Sequence, residues 1–171
     1  MRLSLLPTLA ALAATVLADG AAIVSAIDAI DKSTVALGNG ITSWNGKLLG
    51  ALPIVGSSTK LLIDVKKGTK TAEQSEPLTS DEAFQVAFAT INLAADVNVT
   101  LGAIIDAKPK FDKVLLSPVI LGNLKIQQGA TEDFSGAVID KVPAELQDIA
   151  KQLVGGIADS FDQAIEAYKL F

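Results

Sequence analysis

Apolar residues recur at helical spacing along most of this chain. Between residues 21 and 44 they return every three, four or seven positions, at Ile23, Ile27, Ile30, Leu37, Ile41 and Trp44. Charged residues occupy the other faces, so the pattern predicts an amphipathic helix with a candidate break at Gly38-Asn39-Gly40. A second helical region, about 46 to 74, changes from leucine-rich to lysine-rich along its length. We expect Pro53 and Gly56 to kink this region.

A capping signal predicts the start of the third helix. Thr79 precedes Glu82 by three residues, which is the spacing of a capping box. The helix should end near Ala107, because the residue before Pro109 avoids helical angles. Its apolar stripe is predicted to contain Phe84, Phe88, Ile91, Ala94, Leu101 and Ile105.

Proline and glycine positions delimit the remaining helices. We expect one helix from Pro109, loosened near Pro118 and Gly122, and a cap for another at Thr131-Glu132-Asp133. The last helix follows Val142-Pro143 and carries a clear apolar face: Leu146, Ile149, Leu153, Ile157, Phe161 and Tyr168. No strand-like alternation or repeat appears in the sequence. The predicted fold is therefore all-α, a single bundle of about five amphipathic helices joined by short loops.

The N-terminus is typical of an export signal. Arg2 precedes an apolar run, Leu3 to Leu17, and small Ala18 follows at a plausible peptidase site. A buried first helix is the alternative, but no charge occurs between Arg2 and Asp19 to form a polar face. We expect residues 1–18 to be a signal peptide, residues 19–171 to form the mature domain, and the protein to be secreted.

Charge and composition limit the classes of partner. The chain has a formal net charge of −5, and loss of Arg2 with the leader makes it one unit more negative. This charge disfavours nucleic acid and anionic membranes as partners. No later stretch reaches the roughly 18 apolar residues that a membrane-spanning helix needs, so we expect no transmembrane span.

The residue inventory argues against catalysis. The chain has no histidine and no cysteine, which removes the usual base of serine catalysis and the usual zinc ligands. The pairs Asp28/Asp31 and Asp159/Asp162 lie one helical turn apart, but polar neighbours make solvated faces the simpler explanation. We therefore predict no enzyme, no catalytic residues, no metal and no cofactor.

Three further features leave alternatives open. The lysines Lys60, Lys66, Lys67 and Lys70 could receive a carboxylate, although a solvated face explains them more simply. Asn98-Val99-Thr100 is a glycosylation sequon in a predicted helix, so Asn98 is a candidate glycan acceptor. Glycines inside the predicted helices indicate either close helix packing or a groove beside an apolar ligand.

Several segments resemble the fungal hydrophobic surface binding protein A family, which includes cell wall galactomannoproteins. They are the Ile27 to Leu37 helix running into Trp44-Asn45-Gly46, the stretch from Leu101 to Phe111, and the helix from Ile157 to Tyr168. The resemblance covers roughly residues 20 to 171. It implies a helical bundle that adsorbs to hydrophobic surfaces or encloses a fatty acid, without catalysis, in the extracellular region or cell wall.

The expected function follows from these apolar faces together with the resemblance. We expect a fatty acid, another apolar ligand or a hydrophobic surface as the partner, with oligomeric state left open. The candidate ligand-binding residues are Leu61, Phe84, Phe88, Ile91, Leu115, Ile149 and Leu153. Burial of alkyl surface can drive such binding without a charged partner. The alternative is a structural or antigenic cell wall mannoprotein with a filled core and no ligand.

Overall fold

The computed structural model describes residues 16–169, and six α-helices account for most of them. They are α1 (Val16–Ser43), α2 (Leu52–Gln74), α3 (Ser80–Asp106), α4 (Lys108–Lys113), α5 (Ser117–Ile139) and α6 (Gln147–Tyr168). Short 3-10 turns, Leu48–Ala51 and Ala144–Leu146, precede α2 and α6. No strand occurs in this range, which confirms the predicted all-α class. The helix expected from Pro109 is two helices, α4 and α5.

The five long helices form one bundle around an aliphatic core. Helix α1 packs against α2 and α3, while α5 and α6 complete the bundle against α2 and α3. The Oγ of Ser58 in α2 donates to Asn123 in α5, and an added Cβ on Gly68 would touch Phe134. In these two contacts the residue numbers increase in the same direction along both helices, so α2 and α5 run parallel. Similar pairings make α1, α3 and α6 parallel to one another and opposite to α2 and α5.

The two ends of the bundle differ in their contacts. At the capping-box end, named for the start of α3, the carboxylate of Glu82 accepts from the backbone N–H and the hydroxyl of Thr79. Thr79 in turn accepts from the Glu82 N–H, which confirms the predicted capping box. At the opposite Trp44 end, the Trp44 and Phe111 rings lie 4.5 Å apart. There the Tyr168 hydroxyl donates to the Ile104 carbonyl at 2.7 Å.

The predicted break in α1 was wrong, because the helix continues through Gly38-Asn39-Gly40. The Gly38 backbone lies so close to α3 that an added Cβ would approach the Thr100 Oγ1 to 2.6 Å. That hydroxyl donates across the interface to the Thr34 carbonyl at 3.1 Å. Glycine therefore permits close packing of α1 on α3 at this position rather than ending the helix.

The expected kinks in the later helices were also wrong. Pro53 and Pro118 lie in the first turns of α2 and α5, where a missing backbone N–H leaves no hydrogen bond unmade. Thr131-Glu132-Asp133 lies inside α5 and caps nothing. The Thr131 hydroxyl instead donates to the Gln127 carbonyl one turn earlier.

The predicted signal peptide, residues 1–18, lies mostly outside the described residues, and its cleavage remains a prediction. Two helical stretches, Leu48–Gln74 and Ser80–Asp106, are long and apolar enough to cross a membrane by length and composition. From the sequence we expected no membrane-spanning segment, so these two stretches were not identified there. Core helices pass the same test, and both stretches pack against α1 in the bundle, so they are weak evidence for a span.

Two glycines of α1 provide a matched test of the close helix approach. We expect Gly38→Ala to lower the free energy of unfolding by about 1–3 kcal/mol, because the new methyl group overpacks the interface with Thr100. No atom lies within 4 Å of a Cβ added at Gly40. Gly40→Ala should raise stability by roughly 0.5–1 kcal/mol through helix propensity. Urea unfolding measures both, and equal effects would contradict the close approach.

Glu82 should contribute acid-sensitive stability. The hydrogen bonds from Thr79 outweigh burial and lower the Glu82 pKa from its ordinary value of 4.5, and the Gly20 N–H adds to the effect. A depressed folded-state pKa gives stability that is present above pH 4.5 and is lost as pH falls through the folded value.

We therefore expect Glu82→Gln to cost about 0.5–2 kcal/mol at pH 7 and to have a smaller effect in acid. Asp81→Asn, at the exposed neighbouring position, is the control. Unfolding free energies measured between pH 7 and pH 3 test this. A Glu82→Gln penalty that did not change with pH would show that the charge of Glu82 is not the cause.

Candidate functional site

Three apolar cavities lie along the interior of the bundle. The first cavity is at the capping-box end between α3, α5 and α6, and its space measures about 780 Å³ including the part open to solvent. The middle cavity measures about 590 Å³ and the third, toward the Trp44 end, about 490 Å³ on the same basis. The enclosed space is smaller, about 90 Å³, 50 Å³ and 80 Å³ in the same order, which is below the roughly 300–1,000 Å³ of small-molecule sites.

The three cavities adjoin one another in a row, because neighbouring cavities share lining residues. The first and middle cavities have four lining residues in common: Leu93, Thr131, Phe134 and Ile157. The middle and third cavities likewise share four residues: Leu37, Ile104, Asn123 and Leu124. The cavity row therefore extends along the bundle from α3 and α6 at one end to α2 and α5 at the other.

The row reaches the protein surface at both ends. Phe84 and Ile149 line the first cavity and are 53% and 57% exposed, so it opens between α3 and α6. Val55 and Val119 line the third cavity and are 53% and 58% exposed, so it opens between α2 and α5. A long, thin molecule could enter from either side.

No charged residue lines any of the three cavities in the described part of the chain. Polar lining groups are hydroxyls and two amides. The Gln127 amide donates to the Ser58 carbonyl at 2.8 Å and to its Oγ at 3.3 Å. The Ser58 hydroxyl donates to Asn123 at 2.7 Å. These donors are therefore already used within the protein, and the remaining lining favours alkyl chains.

The structure brings four of the seven predicted ligand-binding residues to the cavities. Phe84, Ile149 and Leu153 line the first cavity, and Leu61 lines the middle one. Phe88, Ile91 and Leu115 line none of the three cavities, and their side chains are exposed.

The predicted stripe on α3 was right for Leu101, which is buried, and for Ala94 and Ile105, which pack against the core, but Phe84, Phe88 and Ile91 are exposed. The buried residues of α3 are Glu82, Ala83, Val86, Leu93, Val97, Thr100, Leu101 and Ile104. Gly20 and Gly38 of α1 lie against Glu82 and Thr100 of α3, so this buried face of α3 packs closely on α1. Sequence reasoning also missed α5, whose Thr131, Phe134 and Val138 line the first cavity.

The candidate catalytic carboxylates lie away from the cavities. Burial, followed by the neighbouring Asp96, raises the pKa of Asp31, whose Oδ1 is buried without a hydrogen-bond partner. Asp162 accepts from Gln128 at 2.8 Å on the outer surface. Among the described residues, no group of three or more acidic, histidine or cysteine side chains could hold a metal.

The other polar candidates are also outside the cavity row. Lys60 forms an ion pair with Asp64 one turn later in α2. Asn98 is exposed in α3, and its Oδ1 accepts from Ser160 of α6 at 3.5 Å. Its glycosylation remains a prediction.

Comparison with known proteins identifies a family and a shared fold. The family model for hydrophobic surface binding protein A matches residues 20–140. Cell wall mannoprotein 1 of Aspergillus fumigatus is 30% identical over 146 residues, which cover 85% of this chain and 51% of that protein. The chain thus spans about half the length of the curated relatives that it matches.

Solved structures are similar over nearly their whole length. A crystal structure of Afmp4p in complex with palmitic acid has a TM-score of 0.85 and 26% identity, covering 88% of this chain and 99% of that chain. Ligand binding domain 1 of the Penicillium marneffei MP1 protein, complexed with arachidonic acids, also has a TM-score of 0.85. It is 21% identical, with 89% and 99% coverage, so this second likeness shows the fold.

Proposed function

The chain belongs to the hydrophobic surface binding protein A family, and on that premise we propose that it binds a fatty acid lengthwise in the cavity row. The adjacency of the three apolar cavities, which share lining residues in a row, is the observation that carries this proposal. The similar Afmp4p structure, 26% identical, is a complex with palmitic acid. The small cavities mark where the helices can part around an alkyl chain, and together with this similar complex they favour ligand binding over a purely structural wall protein.

Hydrophobic burial supplies the affinity in this proposal. Each methylene group removed from water contributes about 0.8 kcal/mol, so a chain that extends through two cavities gains much more than one confined to the first. Among the predicted ligand-binding residues, Phe84, Ile149 and Leu153 contact the part of the alkyl chain in the first cavity. Leu61 contacts the part in the middle cavity. Phe88, Ile91 and Leu115 have no part in this contact.

The carboxylate of the ligand lies at a cavity opening. Burying an unpaired carboxylate is costly, and the described cavity walls offer no positive charge. The amide donors of Gln127 already bond Ser58, so they are not free to replace water around a carboxylate. The headgroup therefore stays hydrated while the alkyl chain is enclosed.

The proposed setting is extracellular and the proposed role is non-catalytic. Relatives named cell wall mannoprotein support a secreted or wall-associated protein, as does the predicted leader. The family description refers to binding of hydrophobic surfaces and to no reaction. Binding and carriage of a lipid require no reactive side chain, which fits a chain without histidine or cysteine.

Chain-length dependence tests lengthwise binding. Thr131 lines both the first and the middle cavity, so we expect Thr131→Phe to obstruct the passage that the proposed ligand takes between them. Palmitic acid should then bind at least about tenfold more weakly, whereas octanoic acid, whose shorter chain need not reach the middle cavity, should change by less than about twofold. Displacement of a fluorescent fatty acid measures both affinities.

The neighbouring substitution Glu132→Phe is the matched control, because Glu132 is exposed and lines none of the three cavities. Far-UV circular dichroism establishes that both variants are folded. Equal weakening of palmitic and octanoic acid by Thr131→Phe would contradict a ligand that spans the passage.

A headgroup comparison tests the position of the carboxylate. We expect palmitic acid and its methyl ester to bind within about threefold of each other, a difference smaller than that of a typical charged hydrogen bond. Isothermal calorimetry below the solubility limit of each ligand provides the measurement. A strong preference for the acid would place its carboxylate against protein donors instead of water.

A further inference from the structure

A second apolar surface, separate from the cavity walls for most of its area, covers the Trp44 end. It consists of exposed side chains from the turn before α2, from α2 itself and from the α4–α5 junction: Leu48, Leu49, Leu52, Val55, Leu115 and Val119. We call this group the apolar end patch. Helices α2 and α5 are packed parallel neighbours that both begin here, and Val55 and Val119 line the same cavity opening. The six side chains therefore belong to one region of the surface.

The exposure of this patch is unusual for a monomer in water. Leu49 is 80% exposed and Leu115 is 84% exposed. Leu115 also has a φ of +58°, a left-handed conformation that glycine or asparagine adopts more readily. A bulky apolar side chain is thus exposed just after the end of α4, at a position where glycine or asparagine is usual. Contiguous exposed apolar side chains of this kind mark interaction surfaces.

The charges that border the patch are positive along both segments. Residues 48–59 contain no charged side chain and follow Lys47, whereas Lys60 at their other end is paired with Asp64 and adds no free charge. Residues 114–124 are also uncharged and are flanked by Lys113 and Lys125. Lysine side chains can lie along apolar surface while their ammonium groups reach the lipid headgroups. The patch therefore combines apolar insertion with a basic border.

The nearby acidic groups are largely paired. Asp112 forms an ion pair with Lys108 at 2.8 Å, and Glu166 forms one with Lys169. Asp106 lies exposed at the end of α3. Lys110 donates to the Trp44 carbonyl at 2.9 Å and adds a further positive charge to this end. The Trp44 end is thus locally basic although the chain as a whole is acidic.

We propose that the apolar end patch docks the protein on an anionic lipid surface. The six apolar side chains enter the interfacial region, and the flanking lysines contact the acidic headgroups. Docking in this orientation places the opening of the third cavity, between Val55 and Val119, against the lipid. The use of that opening for ligand uptake rests on the proposed fatty-acid function, whereas docking itself does not.

Vesicle flotation tests the docking. Wild-type protein should float with phosphatidylcholine vesicles that contain phosphatidylglycerol and should bind pure phosphatidylcholine vesicles more weakly. The double variant Leu49→Gln, Leu115→Asn should lose at least about tenfold in partitioning, because burial of one leucine is worth about that much. Asparagine tolerates the left-handed conformation at position 115, so this variant should fold.

The double variant Phe88→Gln, Val99→Asn is the matched control. These two α3 side chains are 70% and 69% exposed, and neither lines any of the three cavities. It should change vesicle partitioning by less than about twofold. An equal loss in both double variants, or equal binding to neutral and anionic vesicles, would overturn the proposal.

Sedimentation of the free protein tests whether a second copy of this chain, instead of a lipid surface, covers the apolar end patch. A dimer that is lost in the Leu49→Gln, Leu115→Asn variant would assign the patch to a second copy and would overturn lipid docking. Fatty-acid affinity without vesicles should be unchanged in this variant. Wild-type protein that docks on vesicles yet binds no fatty acid would refute the proposed function alone.

Discussion

The close approach of α1 to α3 is the constraint on which the rest of the bundle depends. Two glycines, Gly20 and Gly38, leave no room for a Cβ beside Glu82 and Thr100, and each backbone contact is accompanied by a hydrogen bond across the region. Tight packing on this side fixes α3 against α1. Helix α6 packs on another side of α3, and the first cavity lies between these helices and α5 with Ile27 of α1 in its wall. Thr34 and Thr100, which bond across the tight contact, also line the middle cavity, so close packing and open space adjoin each other along α3.

The apolar side chains of the bundle form two distinct surfaces, one inside and one outside. Inside, aliphatic walls without charge form a row of cavities suited to an alkyl chain. Outside, the Trp44 end exposes leucine and valine side chains beside lysines. The third cavity opens between members of both groups, Val55 and Val119. A protein that collects a poorly soluble ligand benefits from this arrangement, because the ligand then passes from a lipid surface to the interior with little exposure to water.

The sequence was sufficient to predict the helical class, the capping box and the apolar face of the last helix, since each depends on local spacing. It was insufficient wherever a residue acts on a distant neighbour. From the sequence alone Gly38 is predicted to break α1, whereas the structure places it in close contact with Thr100. Thr131 is likewise predicted to cap a helix, whereas α5 continues through it. Phe84 and Phe88 differ by one turn in sequence, yet one borders a cavity and the other does not. Such differences depend on helix rotation, which tertiary packing sets.

The most direct test of lipid binding is to identify what the protein carries. Native mass spectrometry of protein purified from a eukaryotic secretion host, without added lipid, would be followed by solvent extraction and analysis of the released molecules. The cavity row predicts an added mass equal to one or more long-chain fatty acids, which disappears after extraction and returns when palmitic acid is supplied. Protein that shows only its own mass under both conditions would contradict the account.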